Sequence, residues 1–332
     1  MADINRVESL RNLVSKDIVF AICRKEGFEY TGKLETALKG AQAELYIVKK
    51  DDVEYVLKHY HKKSIGGYGK GFFDTSGSFD EREFNRSLTI ADDGFKIEKV
   101  LTENDRLRKN KHIVNVIAAD RIIFYDGVAK QAEYYSIMDK YQPLSLDVIS
   151  EPNIRSEREA LRLGVQICDA LISLHGCKDL FGQIEYSKTG RAKGILHSDI
   201  KYDNIFCYKE ANTYKYVLSD FGVSQLKATQ TGSIGIAGGT AYTMAPEVAS
   251  GYFSTKADLY SLCATIYLLV NERTIYDAMP VSRVKGTESG WVVVDKRTMP
   301  APLNCSKELQ ELLVNGLEYD GNKRRNKSAS EL

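Results

Sequence analysis

The chain has 332 residues, 43% of them hydrophobic and 27% charged, a balance that excludes a disordered or fibrous polymer and leaves room for one large domain or two of ordinary size. Its 46 Lys plus Arg against 45 Asp plus Glu give a formal charge of +1, which supplies no electrostatic ground for a nucleic-acid or anionic-membrane partner. The cysteines at 23, 168, 177, 207, 263 and 305 form no CxxC pair and have no histidine nearby at metal-ligand spacing, so reduced thiols are expected. Met1–Leu10 lacks the apolar core of a signal peptide, and the longest strongly apolar run, Leu262–Val270, is too short to span a bilayer. The expected location is therefore cytoplasmic, with no membrane span and no nucleic-acid partner.

In chain order, residues 1–25 read as an amphipathic helical extension, with Val7, Leu10, Leu13 and Val14 at helical spacing. The runs Glu44–Val48 and Glu54–Leu57 read as strands that flank the polar turn Lys49-Lys50-Asp51-Asp52. Ser64–Ser78, with five glycines at 66, 67, 69, 71 and 77, reads as a loop; no strand-to-helix junction carries it, so it is a poor phosphate cradle. Residues 94–109 look helical, Ile113–Ile117 and Ala132–Met138 look like strands, and beyond Glu157 a long helix runs to His175. A strand-rich part followed by a helix-rich part predicts two lobes.

Three motifs then follow in order: His197-Ser198-Asp199-Ile200-Lys201-Tyr202-Asp203-Asn204, Ser219-Asp220-Phe221-Gly222, and Met244-Ala245-Pro246-Glu247. With Tyr55-Val56-Leu57-Lys58 on an early strand, this set resembles the eukaryotic-type (Hanks-type) serine/threonine protein kinase family over about residues 27–332. Lys201, and Thr240 after Gly239, resemble the serine/threonine rather than the tyrosine class. The resemblance implies an α+β bilobal fold, with a small five-stranded antiparallel sheet lobe and a mainly α-helical lobe. The expected division is an extension at 1–25, an N-lobe at 26–138, and a hinge and C-lobe at 139–332. The implied activity is transfer of the γ-phosphoryl group of ATP, with Mg2+, to serine or threonine hydroxyls of protein substrates. A pseudokinase, binding nucleotide or acting as a scaffold without turnover, is the alternative.

Phosphoryl transfer needs positioning and charge neutralisation more than covalent chemistry, and the resemblance gives each matched residue one of those tasks. Lys58 reaches the α- and β-phosphates and pairs with a helix glutamate, Glu98 in Phe95-Lys96-Ile97-Glu98, with Glu103 on the same predicted helix as rival. Asp199 accepts or orients the proton of the substrate hydroxyl, and Lys201 counters charge on the γ-phosphate. Asn204 and Asp220 supply oxygen ligands to magnesium. Nucleotide contacts are implied at Leu38, Gly40, Leu45, Val56, Lys58, Met138, Asp139, Tyr141 and Phe206. Glu247 is expected to pair with Arg324 or Arg325, and Asp258 to accept hydrogen bonds from the backbone of the catalytic loop.

The chain also departs from the pattern. Leu38–Leu45 keeps one glycine, Gly40, of the expected three, and Ser198 stands where an arginine normally precedes the catalytic aspartate, a non-RD variant. Without that cation, phosphate on Thr229, Thr231 or Ser233 lacks its usual clamp. Insertions at 62–94 and 176–192 are the candidate docking sites for a regulatory protein partner.

Overall fold

A computed structural model of the chain describes residues 15–34, 43–60, 97–125, 130–144, 156–177, 194–221, 225–226, 243–250, 252–270, 281–283, 292–294, 305–326 and 328–332. Val7, Leu10, Leu13 and Val14, the glycine-rich Ser64–Ser78, the 62–94 insertion, the 176–192 insertion beyond Cys177, and Thr229, Thr231, Ser233 and Thr240 lie outside the described residues. By compactness the chain divides into two units, residues 1–103 with 115–140 and residues 104–114 with 141–332.

The first unit is built on a five-stranded sheet of β1 (Glu29–Lys33), β2 (Ala43–Lys50), β3 (Val53–Tyr60), β4 (Val116–Tyr125) and β5 (Lys130–Asp139). Its order is β1-β2-β3-β5-β4, with every neighbouring pair antiparallel. The hairpin between β2 and β3 is tighter than the expected four-residue turn. Lys49 and Lys50 continue the strand, and Asp51 and Asp52 alone reverse the chain at φ 50° and 64°. Two consecutive left-handed residues match the twist of the flanking strands, and aspartate tolerates that region better than bulkier side chains.

One face of this sheet is covered by α1 (Ser15–Glu26). Ile18, Val19, Ile22 and Cys23 of the helix, with Phe28, pack against Tyr46, Val48, Leu57, Tyr135 and Ile137 as one buried cluster. The helix end is tied down as well. Lys25 Nζ reaches Asp120 Oδ2 at 2.6 Å, and the Tyr135 hydroxyl donates to Glu26 Oε1 at 2.5 Å. Burial, reinforced by the Glu26 carboxylate, pushes the Tyr135 phenol far above its ordinary range.

The predicted single helix over 94–109 is two. Helix α2 occupies 97–103, and α3 (Asp105–Arg108) belongs to the second unit. Asn104 separates them in an extended conformation, and its side-chain oxygen accepts from the N–H groups of Arg106 and Leu107 at 3.1 Å. That is the N-cap geometry asparagine favours, so a polar residue inside an apolar-periodic run ends one helix and starts the next. The expected strand at Ile113–Ile117 also shifts. Ile113 makes only an isolated parallel bridge to Leu218, and β4 starts at Val116.

The second unit contains α4 (Glu157–His175), α5 (Thr255–Val270) and α6 (Lys307–Gly316), a three-stranded sheet of β6 (Gln142–Pro143), β8 (Ile205–Glu210) and β9 (Thr213–Leu218), and two short strand pairs. These join β7 (Ile195–Leu196) to β10 (Gln225–Leu226), and β11 (Val281–Arg283) to β12 (Val292–Val294). Helix α4 is capped by Ser156 and buries Leu163, Ile167, Leu171 and Leu174 on one face. Helix α5 is buried nearly all round, as a helix without a polar face must be. At Gly316 a Cβ would lie 2.2 Å from the Cys263 sulfur, so only glycine lets α6 approach α5 this closely. Among the described residues no helix is long and apolar enough to cross a membrane.

Five of the six cysteines are buried and Cys305 is half-buried. Burial pushes Cys23 up to about 11 and both Cys168 and Cys263 up to about 12. Because the thiolate is the reactive form, these three groups stay protonated and inert until the pH approaches those values. Native alkylation at pH 8 followed by intact mass should label Cys305 first and the other five only after denaturation.

Candidate functional site

In the first unit Lys58 lies on β3 and Glu98 on α2. Both are buried, Lys58 at 8% exposure and Glu98 at 1%, and Lys58 Nζ stands 3.5 Å from Glu98 Oε1. Two opposite charges taken out of water together are tolerated where either alone would be strongly destabilising. The ammonium also lies 4.9 Å from the centre of the Tyr60 ring, whose electron-rich face favours a cation. Glu103, the rival on the same helix, is exposed and pairs instead with Lys99 at 3.8 Å. Burial separates the two glutamates where helical spacing could not.

Strand register relates several of the expected nucleotide contacts of this unit to Lys58 and to one another. Leu45 of β2 is directly opposite Lys58, and Val56 is directly opposite Met138 of β5. Asp139 donates its N–H to the Asn115 carbonyl at 3.1 Å, and its carboxylate accepts from Asn115 Nδ2 at 3.0 Å. The N–H of Asp139 is therefore committed within the protein. Leu38 and Gly40 lie outside the described residues.

In the second unit, residues 197–204 form a compact polar loop. The Asp258 carboxylate, buried in the first turn of α5, accepts from the His197 N–H at 2.9 Å and the Ser198 N–H at 2.8 Å, and it lies 2.8 Å from His175 Nε2. These bonds hold Ser198 in a left-handed conformation, φ 67°, that a non-glycine residue adopts only under constraint. His197 Nε2 lies 2.8 Å from the Ser219 carbonyl, and its ring meets Phe221 edge-on at 5.1 Å.

Asp199 is held from two directions. Asn204 Nδ2 donates to both its carbonyl and its Oδ2 at 2.8 Å, and Lys201 Nζ stands 3.0 Å from the same Oδ2. Those contacts come from a single turn of 3-10 helix, Tyr202–Asn204, which brings Asn204 back beneath Asp199. Burial raises the Asp203 carboxyl above its ordinary range, with Lys201 opposing the shift.

Ser219 N–H donates to the Asn204 carbonyl at 2.9 Å, which links the turn to the segment bearing Asp220. Asp220 is exposed and left-handed at φ 61°. With Asn204 Nδ2 occupied by Asp199, the side-chain oxygen of Asn204 is the atom available as a ligand; the carboxylate of Asp220 offers further oxygens. Among the described residues no three His, Cys, Asp or Glu side chains cluster to hold a metal by themselves. A sparse, all-oxygen donor set suits a hard divalent cation that keeps water and phosphate in its shell, as magnesium does.

Two further contacts fix the scaffold of this unit. The Arg324 guanidinium pairs with both oxygens of Glu247, at 2.5 and 2.8 Å, which settles the choice between Arg324 and Arg325. Tyr141 stacks on Phe206 with centroids 6.3 Å apart and meets Tyr208 at 5.9 Å, so two of the expected nucleotide contacts touch each other.

The family model for the protein kinase domain matches residues 91–331. The chain belongs to the protein kinase domain family. The matched range contains Glu98, Asp199, Lys201, Asn204 and Asp220, while Lys58 precedes it. The domain is similar to the serine/threonine-protein kinase pkn2 of Myxococcus xanthus, 29% identical over 202 residues, or 59% of this chain and 22% of that protein. It is also similar to the serine/threonine-protein kinase PknK of Mycobacterium tuberculosis strain H37Rv, 27% identical over 226 residues, or 66% of this chain and 18% of the relative. The serine/threonine-protein kinase shk2 of Schizosaccharomyces pombe is 25% identical over 242 residues, or 69% of this chain and 36% of the relative. The kinase domain thus spans about a fifth of the length of the first two curated relatives it matches. Membership of the family carries the bilobal α+β fold class, and the antiparallel five-stranded sheet agrees with it.

Sequence reasoning missed the link from His175 to Asp258. The two residues are 83 positions apart, and a histidine at the end of a helix carries no local sign of its partner.

Proposed function

We propose that this kinase domain transfers the γ-phosphoryl group of ATP to serine or threonine hydroxyls of protein substrates, with magnesium as the divalent cation. One arrangement carries the reading: the Asp199 carboxylate is fixed at once by Asn204 and Lys201. Phosphoryl transfer is accelerated by holding a nucleophile and neutralising charge, and these are the tasks such an arrangement performs. Asp199 accepts the proton of the attacking hydroxyl as the new O–P bond forms and the bond between the γ-phosphorus and the ADP oxygen breaks. Lys201 offsets charge on the transferred group. Lys58, steadied by Glu98, holds the α- and β-phosphates. Asn204 and Asp220 hold magnesium through oxygen, and the metal, when bound, offsets the negative charge of the triphosphate.

Leu38, Gly40, Leu45, Val56, Met138, Asp139, Tyr141 and Phe206 complete the nucleotide contacts in this reading. An N-lobe at 26–138, a hinge and C-lobe at 139–332, a cytoplasmic location, and docking of a regulatory protein through 62–94 or 176–192 belong to it too. The test is incubation with magnesium and γ-labelled ATP, alone and with generic protein substrates, followed by phosphoamino-acid analysis. Label is expected on serine and threonine and is lost in Asp220→Ala. A wild-type chain that labels nothing, or labels tyrosine or a small molecule alone, overturns the proposal.

A further inference from the structure

We propose that Ser136 is a positioning residue for the Lys58–Glu98 pair, its buried hydroxyl fixing the Glu98 carboxylate and, through it, the lysine. The strand register places Ser136 of β5 directly opposite Lys58 of β3, with Leu45 of β2 and Ala119 of β4 completing the row. Directly opposed residues share one face of a sheet with Cβ atoms about 5 Å apart. Ser136 is thus the one hydrogen-bonding side chain in that row besides Lys58.

Two orphaned atoms flank this lysine. Ser136 is fully buried and, among the described residues, its Oγ has no hydrogen-bond partner; Glu98 Oε2 is likewise buried and without one among them. Buried polar atoms are nearly always paired, because leaving one unpaired forfeits its interaction with water. A hydroxyl can donate and a carboxylate oxygen can accept, so the two needs are complementary. One bridging water, or a turn of the Ser136 side chain about χ1, joins them. With Oε1 toward Lys58 and Oε2 tied to Ser136, the carboxylate plane is fixed at both ends. An alanine or valine at 136 leaves Oε2 stranded and the lysine less firmly aimed.

The consequence for nucleotide rests on the proposed kinase activity; the Ser136–Glu98 link does not. The experiment therefore has two readouts on the full chain. The first needs no nucleotide: melting temperatures of Ser136→Ala, Glu98→Gln and the double variant. The double variant should lose clearly less than the two single losses added together, as side chains sharing an interaction do. The second is steady-state kinetics. Ser136→Ala and Ser136→Val should raise KM for ATP roughly three- to tenfold, the worth of one hydrogen bond, with kcat changed less than about twofold. Ser136→Thr, which keeps the hydroxyl, should restore KM to within about twofold.

Additive melting losses, or a Ser136→Thr variant as impaired as Ser136→Val, overturn the proposal. So does an Ala variant with the wild-type KM. If Glu98→Gln fails to fold, the melting temperatures of the Thr and Val variants decide, since they match in shape and differ by the hydroxyl. A chain that transfers no phosphate yet shows the melting-temperature coupling keeps the Ser136–Glu98 link and overturns the kinase reading alone.

Discussion

If Asp199 is the proton acceptor of the proposed reaction, replacing it by asparagine is expected to lower phosphoryl transfer by about 10²- to 10⁴-fold, the usual contribution of such a group. The substitution is nearly isosteric. An amide oxygen can still accept from Asn204 Nδ2 and still lie near Lys201, so the turn that now closes at 2.8 and 3.0 Å survives. What the amide cannot do is take the proton of the attacking hydroxyl. The loss therefore falls on kcat, while KM for ATP stays within about twofold and the melting temperature within a few degrees. Steady-state label transfer and a thermal melt on the same preparation check both halves. A variant that turns over at the wild-type rate removes Asp199 from the chemistry.

Arg324→Ala is expected to cost about 3–5 kcal/mol of stability, the scale for removing one partner of a buried ion pair. Arg324 is 3% exposed, and its guanidinium holds both oxygens of Glu247. It also donates to the carbonyls of Glu318 and Lys256 and lies 4.7 Å from the Tyr260 ring centre. Alanine strands the Glu247 carboxylate and two carbonyls together and removes the planar group stacked on the ring. For a protein of this size that corresponds to a melting temperature lower by roughly 4–7 °C. Arg324→Lys should recover only part of the loss, because an ammonium cannot reproduce the two-pronged contact. A melt of Arg324→Ala that stays within about 2 °C of wild type contradicts this account.

The parts of the site that could be read from sequence are those whose chemistry is local. Residues 197–204 form one short turn, so the spacing of Asp199, Lys201 and Asn204 in the chain is nearly their spacing in space, and the motif announces itself. Lys58 is singled out by the resemblance, which places a lysine on an early strand as in Tyr55-Val56-Leu57-Lys58. The resemblance favours Glu98 through Phe95-Lys96-Ile97-Glu98 but leaves Glu103 on the same helix as rival, and their opposite burial is what the fold adds. The break at Asn104 was hidden for a related reason: one capping side chain inside a periodic run looks like an exposed polar position. The Asp51–Asp52 turn came out two residues shorter than expected because Lys49 and Lys50 are edge-compatible strand residues as readily as turn residues. The tie from Asp258 to His175 joins distant segments whose proximity no periodicity encodes.

The covering of the sheet by α1 bears on how the catalytic portion can be handled as a reagent. A fragment begun at residue 91, where the family match starts, discards β1 to β3 and Lys58 with them. One begun at residue 27 keeps the strands but strips Ile18, Val19, Ile22 and Cys23 from Leu57, Tyr135 and Ile137, leaving a greasy plate in search of another surface. Such a fragment is expected to clump or to recruit a chaperone, and a workable cloning boundary lies upstream of Ser15.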